Sequence, residues 1–269
     1  MSVITPWMPT PRDRRSLPDL APLAATSALL LVAGLLAGSS LRAAVRVRQM
    51  RAQGREVPPL DHDTVLPGMD PVRRLAVIGD SAAAGHGLAD ADAAYARVVG
   101  RELVRRDGRR TAIANVAVDG ATIAEVIDHQ LEAVRDAEVI IVGVGVNDAI
   151  RRRRPSYIED GMRALLQGVR DRAAVGADVI VITAPDLSVA PGLPKVLCPP
   201  LGVLCRAAAR VQERVAQEFG ASVIALPREA LPPEVFGQDG FHPGEIGHAR
   251  LAGGVLRRLD RARSGTASR

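Results

Sequence analysis

The sequence contains only two cysteines in 269 residues, Cys198 and Cys205, seven positions apart in a proline-rich stretch. No histidine or carboxylate lies near them at the spacing of a zinc site, so we expect no structural zinc. Two alternatives stay open for the pair. The thiols close a small disulfide loop if the domain lies outside the cytoplasm, and they stay reduced if it lies inside.

Lysine is almost absent, since Lys195 is the only one and the other basic residues are arginines. The net charge of +5 arises in residues 1–60, which hold eight of the 35 basic residues and three of the 30 acidic ones. The remainder of the chain is formally neutral. A nucleic-acid partner calls for a basic patch on the folded domain, so we expect no nucleic-acid partner.

Charge is missing altogether from residues 20–41, "LAPLAATSALLLVAGLLAGSSL". About 20 mainly apolar residues span a bilayer as a helix, so we predict a single-pass membrane anchor here and a location at the cell membrane. A cleaved signal peptide, which would make the protein secreted, is the alternative. Three arginines before the segment and five after it favour a cytoplasmic C-terminal side by a thin margin, and the side of the membrane stays undetermined.

The anchor divides the chain into five predicted parts. They are an N-terminal tail at 1–19, the anchor at 20–41, a basic juxtamembrane segment and linker at 42–72, a catalytic domain at 73–262, and a polar tail at 263–269.

Short aliphatic runs alternate with helical patterns from residue 73 onward. The runs lie at 75–80, 111–118, 139–146, 178–185 and 222–227, and the helical patterns lie at 94–106, 122–134, 156–175, 206–219 and 245–263. Strands with near-continuous apolar character that alternate with helices indicate a parallel sheet covered on both faces. We therefore predict an α/β fold, a three-layer α/β/α sandwich with a parallel sheet of about five strands.

Ligands of such sheets bind at the carboxyl ends of the strands. Ser81 follows the first run, Gly120 the second and Asn147 the third. The segment "DGFHPGEIGH" precedes the last helical pattern and places Asp239 three residues before His242. A nucleophile, a base with a carboxylate to orient it, and donors for an oxyanion therefore converge on one edge, which is the inventory for acyl transfer.

Other residues near these blocks have less specific interpretations. We expect Asp80 and Asp148 to hydrogen-bond loop backbone, and His248 to pack or face solvent in the last helix. For His86 we expect a loop residue after Ser81, with a position at the site entrance as the alternative. Residues 186–205 are apolar and rich in proline, too irregular for one helix. A lid or acyl-binding wall and a packed insertion are both open for them.

Four sequence blocks together resemble those of the SGNH (GDSL-type) hydrolase family. They are Gly79-Asp80-Ser81, Gly120, Gly145-Val146-Asn147-Asp148, and Asp239-Gly240-Phe241-His242-Pro243, in the family's order over residues 73–262. The resemblance implies the flavodoxin-like SGNH fold and a serine esterase. It implies Ser81 as nucleophile, His242 as general base, and Asp239 as the residue that orients the imidazole. Ser81, Gly120 and Asn147 would form the oxyanion hole, and no cofactor or metal is implied.

The expected reaction is hydrolysis of a carboxylic ester through an acyl-enzyme on Ser81. Lipid, lysophospholipid or short-chain acyl esters are the favoured small-molecule substrates, an inference from the family and the anchor. The alternatives are an O-acetyl esterase or acyltransferase on cell-envelope carbohydrate and, from another class, a non-catalytic membrane-tethered binding module. The sequence gives no information on oligomeric state.

Overall fold

The computed structural model describes residues 63–266, with side chains for residues 64–262. The predicted anchor at 20–41 lies outside the described residues. Among the helices that are described, none is long and apolar enough to cross a membrane.

The described chain forms a mixed sheet of six strands with helices on both faces. The strands are β1 (Asp63–Leu66), β2 (Met69–Gly79), β3 (Arg109–Asn115), β4 (Val139–Gly143), β5 (Asp178–Ile182) and β6 (Ser222–Ile224). The helices are α1 (Ser81–Ala84), α2 (Tyr95–Asp107), α3 (Ile123–His129), α4 (Val146–Ile150), α5 (Pro155–Arg170), α6 (Cys198–Glu218) and α7 (Glu245–Thr266).

The sheet has the strand order β1-β3-β2-β4-β5-β6. Strands β2 to β6 are parallel, and only β1 runs antiparallel, against β3. Counted from β2, the five parallel strands follow the flavodoxin-like order 2-1-3-4-5, in which the chain reverses direction between the first and third strands. That switch point lies here between β2 and β4. Ligands are therefore expected at the beginning of α1 and α4, where Ser81 and Asn147 lie.

Alternate residues of β4 face two separate apolar cores. Val139 and Ile141 pack with residues of α2 and α7 on one face, whereas Ile140 and Val142 pack with α3, α5 and α6 on the other. Both cores exclude water, since Ile140, Ile141 and Val142 are fully buried. This two-sided burial is why β4 is apolar throughout, and it confirms the predicted α/β layers around a mostly parallel sheet.

The sheet differs from the prediction at its first edge. β1 and the first residues of β2 lie within 42–72, which the sequence analysis assigns to the juxtamembrane segment and linker. Leu66 packs against the core around α2, but Val65 and Met69 are exposed. This edge therefore lacks the buried apolar run by which the other strands are recognised, and two prolines beside it, Pro67 and Pro71, are typical of an irregular segment.

Helix α6 also departs from the predicted pattern, because it begins at Cys198 and not at 206. Pro199 and Pro200 lie in its first turn, where a missing backbone N–H removes no helical hydrogen bond. Cys198 and Cys205 are both buried, free thiols in this helix. Seven residues of helix separate them by about 10 Å, beyond the reach of a disulfide. Cys198 and Cys205 therefore do not pair with each other in this fold.

Candidate active site

The hydroxyl of Ser81 lies directly after β2, at the first residue of α1. Asp80 caps this short helix, since its Oδ1 accepts a hydrogen bond from the N–H of Ala82 at 3.3 Å. Gly79 precedes it with φ +150°, and a Cβ there would lie 2.0 Å from the carbonyl oxygen of Gly143 in β4. Only glycine permits this close approach of two strands, which fixes where β2 ends and Ser81 begins.

A hydrogen-bonded chain joins Ser81 to the segment before α7. Ser81 Oγ lies 3.0 Å from His242 Nε2, and His242 Nδ1 lies 2.5 Å from Asp239 Oδ2. The other carboxylate oxygen of Asp239 accepts the backbone N–H groups of Phe241 and His242, at 2.8 and 3.0 Å. The carboxylate is therefore fixed in place before it orients the imidazole, although 161 residues separate His242 from Ser81 in sequence.

The charge state of Asp239 follows from these contacts. Burial alone would raise the pKa of this carboxyl, but the hydrogen bond and the charge of His242, with the two backbone N–H groups, hold it below its usual value. Asp239 is therefore a carboxylate at neutral pH. It can stabilise a proton on His242 without taking that proton itself.

Gly120 and Asn147 lie together at the neighbouring strand ends. Asn147 Nδ2 donates to the carbonyl oxygen of Ala121 at 3.0 Å, and the backbone N–H of Val118 donates to Gly79 at 3.1 Å. Gly120 has φ +77°, and a Cβ built on it would meet no heavy atom of the described chain within 4 Å. Its backbone thus borders open space, and the side chain of Asn147 is held beside this turn by its contact to Ala121.

Asp148 has the structural task expected of it. Its side chain is fully buried, and its Oδ2 accepts the backbone N–H of Ile123 at 3.1 Å, at the beginning of α3. Burial raises the pKa of this carboxyl. The contact ties the turn after β4 to the turn after β3 and so sets the distance between Asn147 and Gly120.

Burial raises the pKa of Asp80 to about 7, whereas an unfolded aspartate titrates near 4. Between these values the folded protein holds a proton that the unfolded chain releases. The associated stability is therefore complete below about pH 4 and lost as the pH rises through 7. In Asp80→Asn we expect the free energy of unfolding to fall by about 2 kcal/mol less between pH 5 and pH 8 than in wild type. Urea unfolding at both pH values measures this.

The control for that experiment is Asp160→Asn, because Asp160 is an exposed aspartate of α5 and is not among the charges that raise the pKa of Asp80. It should keep the pH dependence of the wild type. Equal slopes for wild type and Asp80→Asn would show that Asp80 is ionised throughout this pH range.

A cavity of about 720 Å³ opens beside Ser81 and His242. It runs between the ends of β5 and β6 and helix α7. Its walls are mainly apolar and include Ile182, Leu187, Val189, Ile224, Leu226 and Phe241. Leu187 and Val189 belong to the stretch 186–205, so the first part of that stretch is a wall of the cavity.

Two further histidines, His86 and His248, lie close to residues of the site. The rings of His86 and His242 lie 4.1 Å apart between centroids, and His86 Nδ1 lies 3.5 Å from Asp119 Oδ2. The sequence analysis favours a loop residue for His86 and names the site entrance as the alternative. Its position between two glycines shortly after Ser81 is the only signal that the chain turns back toward the site. His248 is buried, its Nδ1 accepts the N–H of Tyr95 at 3.2 Å, and burial lowers its pKa to about 4.

Comparison with known proteins connects this geometry to a family. Residues 77–250 match the GDSL-like lipase/acylhydrolase family. A protein of Mycobacterium tuberculosis named GDSL-like esterase Rv1075c is 28% identical over 268 residues, which cover 90% of this chain and 81% of that protein.

Solved structures of similar fold include an extracellular lipase from Streptomyces rimosus, with a TM-score of 0.54 and 18% identity over 71% of this chain and 99% of that chain. A catalytic mutant of Axe2, an acetylxylan esterase from Geobacillus stearothermophilus, has a TM-score of 0.54 and 17% identity over 70% of this chain and 94% of that chain. At these identities the likeness concerns the fold.

Proposed function

Because the chain belongs to the GDSL-like lipase/acylhydrolase family and is a hydrolase of the esterase type, we propose that it hydrolyses carboxylic esters through an acyl-enzyme on Ser81. The observation that carries this proposal is the hydrogen-bonded chain from Ser81 through His242 to Asp239. A serine hydroxyl is a weak nucleophile until a neighbouring imidazole accepts its proton. The contact of 3.0 Å provides that acceptor.

In the first half of the proposed reaction, Ser81 Oγ attacks the ester carbonyl carbon while His242 Nε2 takes the hydroxyl proton. The tetrahedral intermediate collapses, and His242 returns the proton to the leaving alcohol. In the second half, water loses a proton to His242 and attacks the acyl-enzyme, which releases the acid and the Ser81 hydroxyl. Asp239 stays ionised and stabilises the imidazolium in both halves.

The oxyanion of each intermediate needs hydrogen-bond donors that are already oriented. The backbone N–H groups of Ser81 and Gly120 and the side-chain amide of Asn147 are the proposed donors. The contact from Asn147 to the carbonyl of Ala121 supports this assignment, since it fixes one N–H of the amide and so orients the other. All three donors are uncharged at any physiological pH.

The cavity supports an acyl chain of several carbons as the preferred acid part of the ester. A cavity of about 720 Å³ with aliphatic walls exceeds what an acetyl group fills. Burying each methylene of an acyl chain is worth about 0.8 kcal/mol. Lipid esters, lysophospholipids among them, are therefore favoured over O-acetyl carbohydrate as substrates. We also propose that water, and not a second alcohol, accepts the acyl group.

The general test is labelling of the purified full-length chain by a fluorophosphonate probe, together with turnover of p-nitrophenyl esters. We expect one covalent label, located on Ser81 by mass spectrometry, and turnover that the probe abolishes. A chain that neither takes the label nor turns over any acyl length would be a binding module and not an esterase.

The acyl-chain proposal predicts that Gly253→Phe changes the length preference. Gly253 lies on α7 and borders the cavity, and a Cβ there meets only the end of the Arg257 side chain, at 3.3 Å. A phenyl ring at this position takes the space of two or three methylenes, so kcat/KM for a p-nitrophenyl ester with a twelve-carbon acyl chain should fall about 15- to 60-fold. Gly253→Ala is the matched control. An equal loss for the acetate ester, or none for the long one, would contradict an acyl site in this cavity.

We further propose that residues 20–41 anchor the enzyme to the cell membrane. Their 22 uncharged residues support this. Membrane fractionation of the full chain and of residues 43–269 tests the proposal, since only the full chain should sediment with membranes. External protease acting on a C-terminal tag of intact cells then decides the side of the catalytic domain, and a shortened mature N-terminus would instead indicate a cleaved signal peptide.

A further inference from the structure

Three side chains at the edge of the site offer more metal-binding atoms than ester hydrolysis needs. His86, Asp239 and His242 each offer one nitrogen or oxygen atom, and these three atoms all lie within 4.8 Å of one another. We propose that the three side chains form a binding site for a divalent transition metal, zinc above all, and that the bound ion inhibits the enzyme.

The distances fit zinc after small side-chain rotations. Zinc binds imidazole nitrogen and carboxylate oxygen at about 2.0 to 2.2 Å, so two ligand atoms of one site lie up to about 4 Å apart. The three ligand atoms lie at most 4.8 Å from one another, so none of their separations exceeds that limit by more than about 1 Å. Two imidazoles and one carboxylate are also a donor set that zinc uses in proteins, and they leave a fourth position open.

The backbone holds His86 at this place. Gly85 and Gly87 on either side have φ of +81° and +90°, and the N–H of His86 donates to the carbonyl of Ser81 at 2.9 Å. A Cβ on Gly87 would lie 3.5 Å from Cβ of His242. The loop therefore brings the imidazole of His86 back against His242 because both glycines adopt conformations that other residues rarely take.

The surroundings favour metal binding over simple packing of two rings. Asp119 lies 3.5 Å from Nδ1 of His86, and a carboxylate behind the imidazole is the usual support of a metal-binding histidine. The side chains of His86, Asp239 and His242 are between 7 and 14% exposed. They are shielded from bulk water, yet His242 borders the cavity by which an ion can enter.

Inhibition follows from which atoms the ion would occupy. A metal on His242 takes one of its two ring nitrogens. The reaction needs both, because Nε2 contacts Ser81 and Nδ1 contacts Asp239. In either case His242 can no longer receive the proton of Ser81. This consequence rests on the proposed esterase function, whereas zinc binding itself does not.

The binding experiment uses the full-length chain with Ser81→Ala, so that it is independent of turnover. Zinc is titrated against a chromophoric chelator, in that variant and in the same variant with His86→Gln or His129→Gln added. His129 is an exposed histidine at the end of α3, outside the cluster, and serves as the control. We expect at least tenfold weaker zinc binding with His86→Gln alone, and no competition by magnesium, which prefers oxygen ligands. Equal affinity in all three proteins would overturn the site.

The activity experiment compares zinc inhibition of wild type and His86→Gln on a p-nitrophenyl ester, with reversal by EDTA. Zinc should inhibit the wild type at concentrations at least tenfold lower than it inhibits His86→Gln, with the activity of each protein expressed relative to its own rate without zinc. Identical inhibition curves would reject a regulatory role of the cluster. If the wild type has no turnover at all, the esterase proposal fails by itself, and the chelator titration still decides whether the metal site exists.

Discussion

Ser81→Ala is expected to lower kcat for ester hydrolysis by about 10⁴-fold or more, and His242→Ala by a similar factor. Ser81 supplies the oxygen that forms the acyl-enzyme, and His242 is the proton acceptor 3.0 Å from it. Neither side chain is part of the apolar cores, so both variants should fold with unchanged melting temperature within a few degrees. Turnover of a p-nitrophenyl ester and covalent labelling by a fluorophosphonate measure the loss.

Two comparisons make this prediction specific. Ser156→Ala changes an exposed serine near the beginning of α5 and should keep full activity. The double variant of Ser81 and His242 should be no slower than the worse single one, because residues that act as a unit are not additive. Additive losses, or a Ser81→Ala protein that still forms an acyl-enzyme, would place the nucleophile elsewhere.

The position of the site could be predicted from the sequence because it depends on strand ends. In a parallel sheet the carboxyl ends of all strands meet at one edge, so Ser81, Gly120 and Asn147 had to converge once the apolar runs were recognised. The strand order explains why the site lies at the ends of these particular strands. β2 and β4 are neighbours at the switch point, where the connections leave in opposite directions and a crevice opens.

The parts that could not be predicted depend on contacts without a local pattern. β1 is an edge strand with exposed Val65, so it has no buried apolar run. His86 lies in the site because Gly85 and Gly87 on either side of it adopt positive φ angles. The sequence shows the two glycines but not the backbone conformation that they adopt.

Two buried glutamines illustrate the same limit. Gln130 accepts the N–H of Gly79 and donates to its carbonyl, and Gln212 accepts the N–H of Ala184 and donates to the carbonyl of Val144. Each hydrogen-bonds to backbone groups at a strand end, beside the site on either flank. Glutamine is mostly a surface residue, so nothing in the sequence distinguishes these two.

Asn147→Ala is expected to lower kcat by about 10² to 10³-fold with KM nearly unchanged. An oxyanion exists only in the transition state and the intermediates, so a donor aimed at it contributes little to binding of the ground-state ester. The amide is well placed for this task, because its contact to the carbonyl of Ala121 prevents its rotation. Steady-state kinetics on a p-nitrophenyl ester separate kcat from KM.

The contact to Ala121 also makes a purely structural role possible for Asn147, and Arg151 provides the control. Arg151 Nη2 donates to the carbonyl of Gly120 at 3.2 Å, so it supports the same turn. It is not one of the proposed oxyanion donors. Arg151→Ala should therefore change kcat by less than about threefold. If both variants lost activity equally, the turn position alone would matter. If only Asn147→Ala loses kcat, its second N–H is the donor, because the two variants differ in that group and not in the loss of a turn contact.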